Sequence, residues 1–301
     1  MRILLTGGSG QVGTALLPIL SDKYDVVAPP RAVFDLAAPQ MLGDALDNFS
    51  PDLIINSAAY TAVDRAEDEA DVAFKVNQDA PGVIANWAAK RNVPVIHLST
   101  EYVFDGKGDL PLRETSPTGP LSVYGKSKLA GEHAIRQAVG PHLIVRTSWV
   151  YAARGNNFLR TIARLARERD ELRIVADQFG APTSARVIAQ ALERLIAGQL
   201  SDLGPRFAKA EGIVNIVSAG ETSWHGFASS IVEGLRSRNV VLAVKSILPL
   251  RTDEYPTKAK RPSNSRLDLK RLQEVFGVTT PTWQTALECE LDELAREMVA
   301  N

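Results

Sequence analysis

Cysteine is almost missing from this sequence, because its 301 residues include only Cys289. A single thiol excludes an internal disulfide and a metal site built from several cysteines. Glu288 and Glu290 flank it and disfavour the thiolate, so we expect an unreactive residue on a helix. The shortage of cysteine also fits a reducing compartment.

Long apolar runs and an excess of one charge are lacking as well. No stretch approaches the roughly 18 to 20 apolar residues of a membrane helix. The first residues contain neither the longer apolar region nor the cleavage site of a secretory signal. The 34 basic and 35 acidic side chains give a net charge of −1, which leaves no footprint for nucleic acid or an anionic membrane. We therefore expect a soluble, cytoplasmic protein that binds neither.

Short apolar runs alternate with helical patterns through the first half of the chain. These runs predict strands at residues 2–6, 24–28, 52–56, 93–99 and 143–146. Strands separated by helices form βαβ units, which predict a parallel sheet buried on both faces. The expected fold class is α/β, with a Rossmann-type, doubly wound parallel sheet.

The alternation becomes less regular after about residue 150. Helical patterns and short strand candidates share this part of the chain, the helices at 155–169, 184–198, 222–238 and 281–298 and the strands at 172–175, 212–217 and 244–248. We expect residues 1–150 to form a dinucleotide-binding domain. Residues 151–301 should form mainly a smaller α/β substrate-binding region, with some segments returning to the first domain.

A glycine-rich turn follows the first predicted strand and precedes the first predicted helix. Its glycines are spaced G-x-x-G-x-x-G, which suits a tight turn, a close approach to a pyrophosphate and close packing of helix on strand. The start of the helix offers N–H groups and its positive dipole end to phosphates. This context predicts dinucleotide binding, with contacts from Gly7, Gly10, Gln11, Val12 and Gly13.

The segment after the second strand bears on the choice of nicotinamide cofactor. An NAD site usually has an acidic side chain there for the ribose 2′-hydroxyl. This sequence instead has Arg31, and its first carboxylate is Asp35. Arg31 could pair with a 2′-phosphate through its planar donors, the alternative being a solvated surface arginine. The sequence therefore favours NADPH, and NADH stays open.

Tyr124 and Lys128 form a Tyr-x-x-x-Lys pattern at the start of a helical segment. Residues four apart lie on one helix face, so the phenol and the ammonium can share a site. A nearby ammonium should lower the pKa of the phenol towards the range useful for acid–base catalysis. Thr100 follows the fourth strand, where its hydroxyl can donate to a substrate carbonyl oxygen. We predict that these three residues are catalytic.

The glycine spacing resembles that of the extended branch of the short-chain dehydrogenase/reductase superfamily. Further segments, spread in order over almost the whole chain, resemble the dTDP-4-dehydrorhamnose reductase family more narrowly; they are residues 56–64, 99–106, 123–132, 146–151, 156–158, 177–183 and 261–267. Two of them, Arg-Thr-Ser-Trp-Val-Tyr and Asp-Gln-Phe-Gly-Ala-Pro-Thr, are long enough to be specific. The resemblance implies reduction of the C4 ketone of dTDP-4-dehydro-L-rhamnose with a nicotinamide cofactor.

The resemblance also implies residues for each ligand. Cofactor contacts are expected additionally from Asp35, Leu36, Ala58, Ala59 and Tyr60, beside Tyr124 and Lys128. Substrate contacts are expected from Tyr102, Val103, Trp149, Asn157, Gln178 and Arg261. Trp149 would offer a flat apolar face to the sugar, and Arg261 would suit the pyrophosphate.

Two positions depart from the family pattern. Glu101 stands where the family has an aspartate, and the extra methylene could change rate or substrate preference. Some relatives dimerise around magnesium through a glutamate early in the first helix. Ala15 occupies the aligned position, so we predict no metal, while a homodimer stays open. His97, within an apolar strand, is expected to be a buried histidine with its hydrogen bonds satisfied.

Two other functions are compatible with these patterns. One is a reductase or epimerase of another nucleotide sugar, because pocket loops decide stereochemistry through a few contacts. The other is a non-catalytic regulatory protein on the same fold, since fold does not determine function. The intact Thr100, Tyr124 and Lys128 argue against the second.

Overall fold

The computed structural model describes residues 1–300, with side chains up to Met298. Its strands, in chain order, are β1 (Arg2–Thr6), β2 (Asp25–Val27), β3 (Leu53–Asn56), β4 (Val95–Thr100), β5 (His142–Thr147), β6 (Val150–Tyr151), β7 (Glu171–Val175), β8 (Phe179–Gly180), β9 (Thr183–Ser184), β10 (Ile213–Asn215), β11 (Thr222–Ser223), β12 (Ser246–Leu250) and β13 (Asn264–Ser265).

The α-helices alternate with these strands. In chain order they are α1 (Gln11–Ser21), α2 (Leu42–Phe49), α3 (Ala70–Phe74), α4 (Ala80–Lys90), α5 (Val123–Gln137), α6 (Phe158–Glu168), α7 (Ala185–Ile196), α8 (Leu203–Lys209), α9 (Trp224–Arg236), α10 (Lys270–Phe276) and α11 (Trp283–Ala300). A π-helical segment, Lys75–Asp79, joins α3 to α4. Within residues 1–300, no helix is long and apolar enough to cross a membrane.

The central sheet has six strands in the order β10-β5-β4-β3-β1-β2, and every pairing in it is parallel. Residues alternate between the two faces of a strand, and both faces are covered. Ile3 and Leu5 pack in one core with α1, α7 and α8, while Leu4 packs on the opposite side with α2 and α4. The predicted α/β class with a doubly wound parallel sheet is therefore confirmed.

A second apolar core lies around Phe227 of α9, between α6, α11 and β7. Not every element after residue 150 belongs to this core. Strand β10 pairs with β5 at the edge of the central sheet, and Ile188 and Leu192 of α7 lie in the same core as α1. The domain boundary at residue 150 remains a prediction. Of these later segments, β10 adds an edge strand to the first sheet, and α7 covers one of its faces.

A buried ion pair joins α5 to the central sheet. Arg146 of β5 donates from Nε and Nη2 to the two carboxylate oxygens of Glu132, at 2.9 and 2.6 Å. Ser99 Oγ donates to the same carboxylate at 2.6 Å. The Arg146 guanidinium also lies 4.7 Å from the ring centre of Phe104. Because the carboxylate is enclosed, removing its cation leaves an uncompensated buried charge.

We predict that Arg146→Met lowers the free energy of unfolding by about 3 to 5 kcal/mol, as expected for breaking a buried pair. Urea-induced unfolding followed by circular dichroism measures this. Arg164→Met is the matched control, because Arg164 forms an exposed pair with Glu168 and such pairs contribute about 0.5 kcal/mol or less. Equal losses in the two variants would contradict the role given to the buried pair.

Candidate active site

A cleft of about 860 Å³ opens at the carboxyl ends of the central strands. Ligands bind at this edge in open α/β sheets, which makes the cleft the candidate site. The structure brings most of the predicted site residues to its walls, namely Gly7, Gly10, Gln11, Val12, Gly13, Arg31, Asp35, Leu36, Ala58, Ala59, Tyr60, Thr100, Tyr102, Tyr124, Lys128, Trp149, Asn157 and Arg261.

The glycine turn packs too tightly to accept side chains. A Cβ on Gly13 would lie 2.1 Å from the carbonyl oxygen of Gly7, and one on Gly7 would lie 2.8 Å from the backbone nitrogen of Ala58. Gly7 also has φ +70°. Among the described residues, none caps the start of α1 with a side-chain hydrogen bond. The first N–H groups of that helix are therefore available to an anion in the cleft.

The rim of the cleft beside β2 carries Arg31 and Asp35. Arg31 Nε lies 3.3 Å from Asp35 Oδ1, and the Arg31 side chain is 79% exposed. The same carboxylate oxygen accepts a hydrogen bond from the backbone N–H of Ala37 at 2.9 Å, which fixes its orientation. An exposed ion pair of this kind is weak, so the guanidinium can exchange its partner for a bound phosphate.

The three predicted catalytic residues meet on the floor of the cleft. Ser122 caps α5 by accepting from the N–H of Gly125 at 3.1 Å, so Tyr124 lies in the first turn and Lys128 one turn later. Lys128 Nζ donates to the carbonyl oxygen of Leu98 at 2.6 Å. Thr100 is the last residue of β4, and a hydrogen bond with its hydroxyl lowers the pKa of Tyr124.

That hydrogen bond does not decide the acidity of Tyr124. Burial raises the pKa of the Tyr124 phenol well above its usual value, and the nearby Glu101 carboxylate raises it further. Burial therefore outweighs the lowering of this pKa that was expected from Lys128. The physical reason is desolvation, which disfavours any charged form; it also lowers the pKa of Lys128 to about 8. Tyr124 is consequently a protonated phenol at neutral pH.

Glu101 is the least expected feature of the floor. Its Oε2 accepts from Thr100 Oγ1 at 2.8 Å, while its buried Oε1 has no hydrogen-bond partner among the described residues. Burial raises the pKa of Glu101 to about 7, although hydrogen bonds with Thr100 and Ser265 and the charge of Arg261 lower it. A carboxyl group in contact with Thr100 therefore changes charge near neutral pH.

Arg261 forms the wall above Glu101. Its Nη2 lies 2.7 Å from Asp64 Oδ2 and its Nη1 donates to the hydroxyl of Tyr102 at 2.9 Å. Tyr102 in turn packs edge-on against Tyr124, with 5.5 Å between ring centres. These contacts hold a cation and two aromatic rings on one side of the cleft.

Trp149 also lines the cleft and belongs to an aromatic pair. Its ring stacks on that of Trp224, with 3.6 Å between ring centres. Trp149 has φ +49°, a strained conformation for a side chain of this size. Gly180 permits the position, because a Cβ there would lie 2.7 Å from the indole ring. The strain is consistent with a ring held in place for a ligand.

Two predicted substrate residues do not reach the cleft. Val103 is fully buried in a cluster with Phe104 and Leu267, because the turn after β4 directs it inward. Gln178 is also buried, and its Nε2 donates to Thr252 Oγ1 at 3.1 Å. Direct contact of either side chain with a ligand is not supported by this geometry.

Asn157 reaches the cleft but is largely committed to the fold. It caps α6 by accepting from the N–H of Arg160 at 3.2 Å, and its amide nitrogen donates to the carbonyl oxygens of Ala152 and Arg154 at 2.8 and 3.0 Å. A role in holding the loop of the cleft follows more directly from these contacts than a role in binding.

Several cleft residues were not predicted from the sequence, among them Arg65, Glu69, Val72 and Trp224. Glu69 accepts from the hydroxyl of Tyr60 at 2.6 Å and from Arg65 Nη2 at 2.6 Å. The i,i+4 spacing of Arg65 and Glu69 could have indicated their pairing. No local pattern marks Trp224, which is brought in by packing of the second core.

The family model described as RmlD substrate binding domain matches residues 1–296. The chain belongs to this family.

Curated members of the family are similar along their whole length. The chain is 45% identical to the dTDP-4-dehydrorhamnose reductase of Burkholderia thailandensis over 289 residues, covering 95% of this chain and 97% of that one. It is 41% identical to the enzyme of the same name from Escherichia coli K12, covering 98% of both chains. The resemblance noted in the sequence segments is therefore confirmed.

Solved structures agree with this membership. A dTDP-4-dehydrorhamnose reductase from Clostridium acetobutylicum has a TM-score of 0.88 at 34% identity, covering 98% of this chain and 99% of that one. One from Bacillus anthracis, in complex with NADP, has a TM-score of 0.87 at 31% identity, covering 97% and 99%.

Glu101 gives this family member a testable pH dependence of stability. A folded pKa raised from 4.5 to about 7 means that the folded state keeps a proton that the unfolded state releases. Below about pH 4.5 this group costs the folded state no stability. As pH rises from about 4.5 through about 7, the free energy of unfolding falls by about 3 kcal/mol in all. Relative to the parent protein, Glu101→Gln should gain free energy of unfolding as pH rises, by about 2.5 kcal/mol between about pH 5 and 8.

Urea unfolding at several pH values measures this difference. Glu168→Gln, on the surface of α6, serves as the control for a generic loss of one carboxylate. A stability difference between Glu101→Gln and the parent protein that does not change with pH would contradict a carboxyl group that titrates near neutrality.

Proposed function

We propose that this protein uses NADPH to reduce the C4 ketone of dTDP-4-dehydro-L-rhamnose, giving dTDP-L-rhamnose. The relatives that match it over nearly their whole length are named for this reaction. The observation that carries the proposal is that Tyr124, Lys128 and Thr100 share one cleft with the glycine turn. A phosphate-binding turn and an acid–base group in one cleft are what a nicotinamide-dependent carbonyl reductase needs.

The residues of the cleft fit a dinucleotide. The glycine turn allows a pyrophosphate to approach the backbone, since side chains at Gly7 or Gly13 would not fit. Gln11 Oε1, on the first residue of α1, is buried without a partner among the described residues. Such an atom is costly unless a ligand supplies a donor. A bound nicotinamide cofactor would supply the hydride, and Lys128 would hold its ribose.

The ionisation states of the floor suit reduction. Tyr124 is protonated, so its hydroxyl can give a proton to the alkoxide that forms at C4. Thr100 can donate to the same oxygen and stabilise its developing charge. A neutral Glu101 can donate to Thr100 Oγ1 instead of accepting from it, which frees the Thr100 proton for the substrate. The turnover step is therefore favoured below the pKa of Glu101.

The walls of the cleft suit a sugar nucleotide. Arg261 is a planar cation whose present partner Asp64 is 45% exposed, so a pyrophosphate can replace or share that carboxylate. Trp149 offers an apolar face to the sugar ring, backed by Trp224. Arg31 at the rim favours NADPH, because its exposed guanidinium can meet a 2′-phosphate.

The test couples purified dTDP-glucose pathway enzymes to this protein, follows oxidation of NADPH and of NADH, and identifies the sugar product. We expect NADPH to be oxidised faster and dTDP-L-rhamnose to form. Tyr124→Phe should lower turnover by about 10²- to 10⁴-fold, the usual contribution of a general acid, while cofactor still binds. No cofactor oxidation with the 4-keto sugar, or undiminished turnover in Tyr124→Phe, would refute the proposal.

A second prediction concerns cofactor binding alone. Gly13→Ala places a Cβ 2.1 Å from the Gly7 carbonyl oxygen, so the turn must open and its N–H groups lose their alignment. We expect affinity for NADPH, measured by its fluorescence on binding, to fall at least about tenfold, a loss of about 1.4 kcal/mol.

Gly43→Ala is the matched control, because a Cβ on Gly43 of α2 meets nothing within 4 Å. Affinity should be unchanged in that variant, and α2 should become slightly more stable. Equal affinities in Gly13→Ala and the parent protein would exclude the glycine turn as the phosphate site.

A further inference from the structure

A row of buried polar side chains crosses three neighbouring strands of the central sheet. Thr6 of β1 is paired in register with Asn56 of β3, and Asn56 with His97 of β4. All three residues are at most 2% exposed. Their neighbours Leu5 and Ile55 point to the opposite face, into an apolar core. Polar groups in such a place cost free energy unless they are bonded to one another.

The row is bonded without a break and ends at Lys128. Thr6 Oγ1 donates to Asn56 Oδ1 at 2.6 Å, and Asn56 Nδ2 lies 3.0 Å from His97 Nδ1. His97 Nε2 lies 3.1 Å from Lys128 Nζ. The prediction that His97 is buried with satisfied hydrogen bonds agrees with these contacts, but its second nitrogen faces a residue of the candidate active site.

Lys128 is held by few groups. Lys128 Nζ donates one hydrogen bond to the Leu98 carbonyl oxygen, and His97 Nε2 lies on another side of the same nitrogen. Among the described residues, His97 on β4 and Glu132 on α5 interact electrostatically with Lys128, and the titratable Tyr124 and Glu101 line the same cleft. Glu132 raises the pKa of Lys128, but its carboxylate is already bonded to Arg146 and Ser99.

The position of the ring proton follows from the partners of His97. Burial and the charge of Lys128 hold the pKa of His97 well below its usual value, so the ring is neutral and has one donor and one acceptor nitrogen. Asn56 Nδ2 donates to Nδ1, which leaves the proton on Nε2, facing Nζ. The Nε2 proton can form a hydrogen bond to Lys128 Nζ when the lysine is a neutral amine. When the lysine is an ammonium, both nitrogens carry hydrogens and neither can accept a hydrogen bond.

We propose that His97, oriented by Asn56, is a positioning residue that fixes Lys128 Nζ beside the cleft and sets the pH at which this nitrogen becomes charged. The proposal rests on the proposed function only in giving Lys128 a role in turnover. The row acts through Lys128 and does not touch the substrate. Thr6, the last residue before the glycine turn, anchors the other end of the row.

The first test observes the ring directly and needs no activity. Nitrogen-15 NMR of labelled histidine follows only His97, His133, His142 and His225, and His97→Gln identifies the signals of His97. We expect a neutral ring with its proton on Nε2, whose shifts move as Lys128 titrates near pH 8. This movement should vanish in Lys128→Met. Shifts of His97 that stay constant, or move equally in Lys128→Met, would overturn the proposal.

The second test uses the pH profile of turnover. In His97→Gln the side-chain carbonyl can accept from Nζ, which favours the ammonium and raises the pKa of Lys128. The alkaline limb that Lys128 sets near pH 8 should then move up by about one unit, a tenfold change in ionisation constant. The limb that Glu101 sets near pH 7 should stay in place. The KM for cofactor should change less than kcat.

Ile96→Val is the matched control, because Ile96 precedes His97 on β4 and points into the opposite core. Its alkaline limb should coincide with that of the parent protein. A His97→Gln profile that is only scaled down, with an unmoved limb, would reduce His97 to a packing role. If the protein did not reduce the keto-sugar at all, the NMR titration would still decide the coupling of His97 to Lys128.

Discussion

Burial of the central sheet on both faces is the constraint from which the site follows. Helices cover each face, so polar side chains on the strands can meet a ligand only where the strands end. Three strands, β1, β4 and β5, each end at a threonine that lines the cleft; in that order these are Thr6, Thr100 and Thr147. The Thr6–Asn56–His97 row also lies within the sheet, where hydrogen bonds between its members offset the cost of burying polar groups.

The same burial determines the ionisation of the floor. Tyr124 and Glu101 have raised pKa values, and the pKa of Lys128 is lowered to about 8. All three shifts favour neutral forms, as expected when water is removed from a site. Carboxyl and phenol groups in their neutral forms keep their protons, which suits donation to a developing alkoxide. The cations and carboxylates lie instead on the walls, at Arg261 and Asp64.

Local patterns predicted the parts of the site that depend on local geometry. The glycine spacing and Tyr-x-x-x-Lys could be recognised because a turn and one helix face fix them, and the central strands followed from their apolar runs. Trp224 could not be predicted, since its stacking on Trp149 depends on how the second core packs. Val103 and Gln178 were expected at the substrate but lie inside, because sequence proximity to a site does not determine side-chain direction. The raised pKa of Tyr124 was not predicted, because its desolvation is visible only in the folded protein.

The central claim is that, in this cleft, hydride is added to the carbon of one ketone and a proton to its oxygen. The most direct measurement supplies NADPH deuterated at C4 of the nicotinamide on its transferable face, together with dTDP-4-dehydro-L-rhamnose, and locates the deuterium in the product by NMR. Deuterium at C4 of the rhamnose ring is the predicted result. A reduced sugar without deuterium at C4, or a product whose formation leaves the NADPH unconsumed, would contradict hydride transfer at this site.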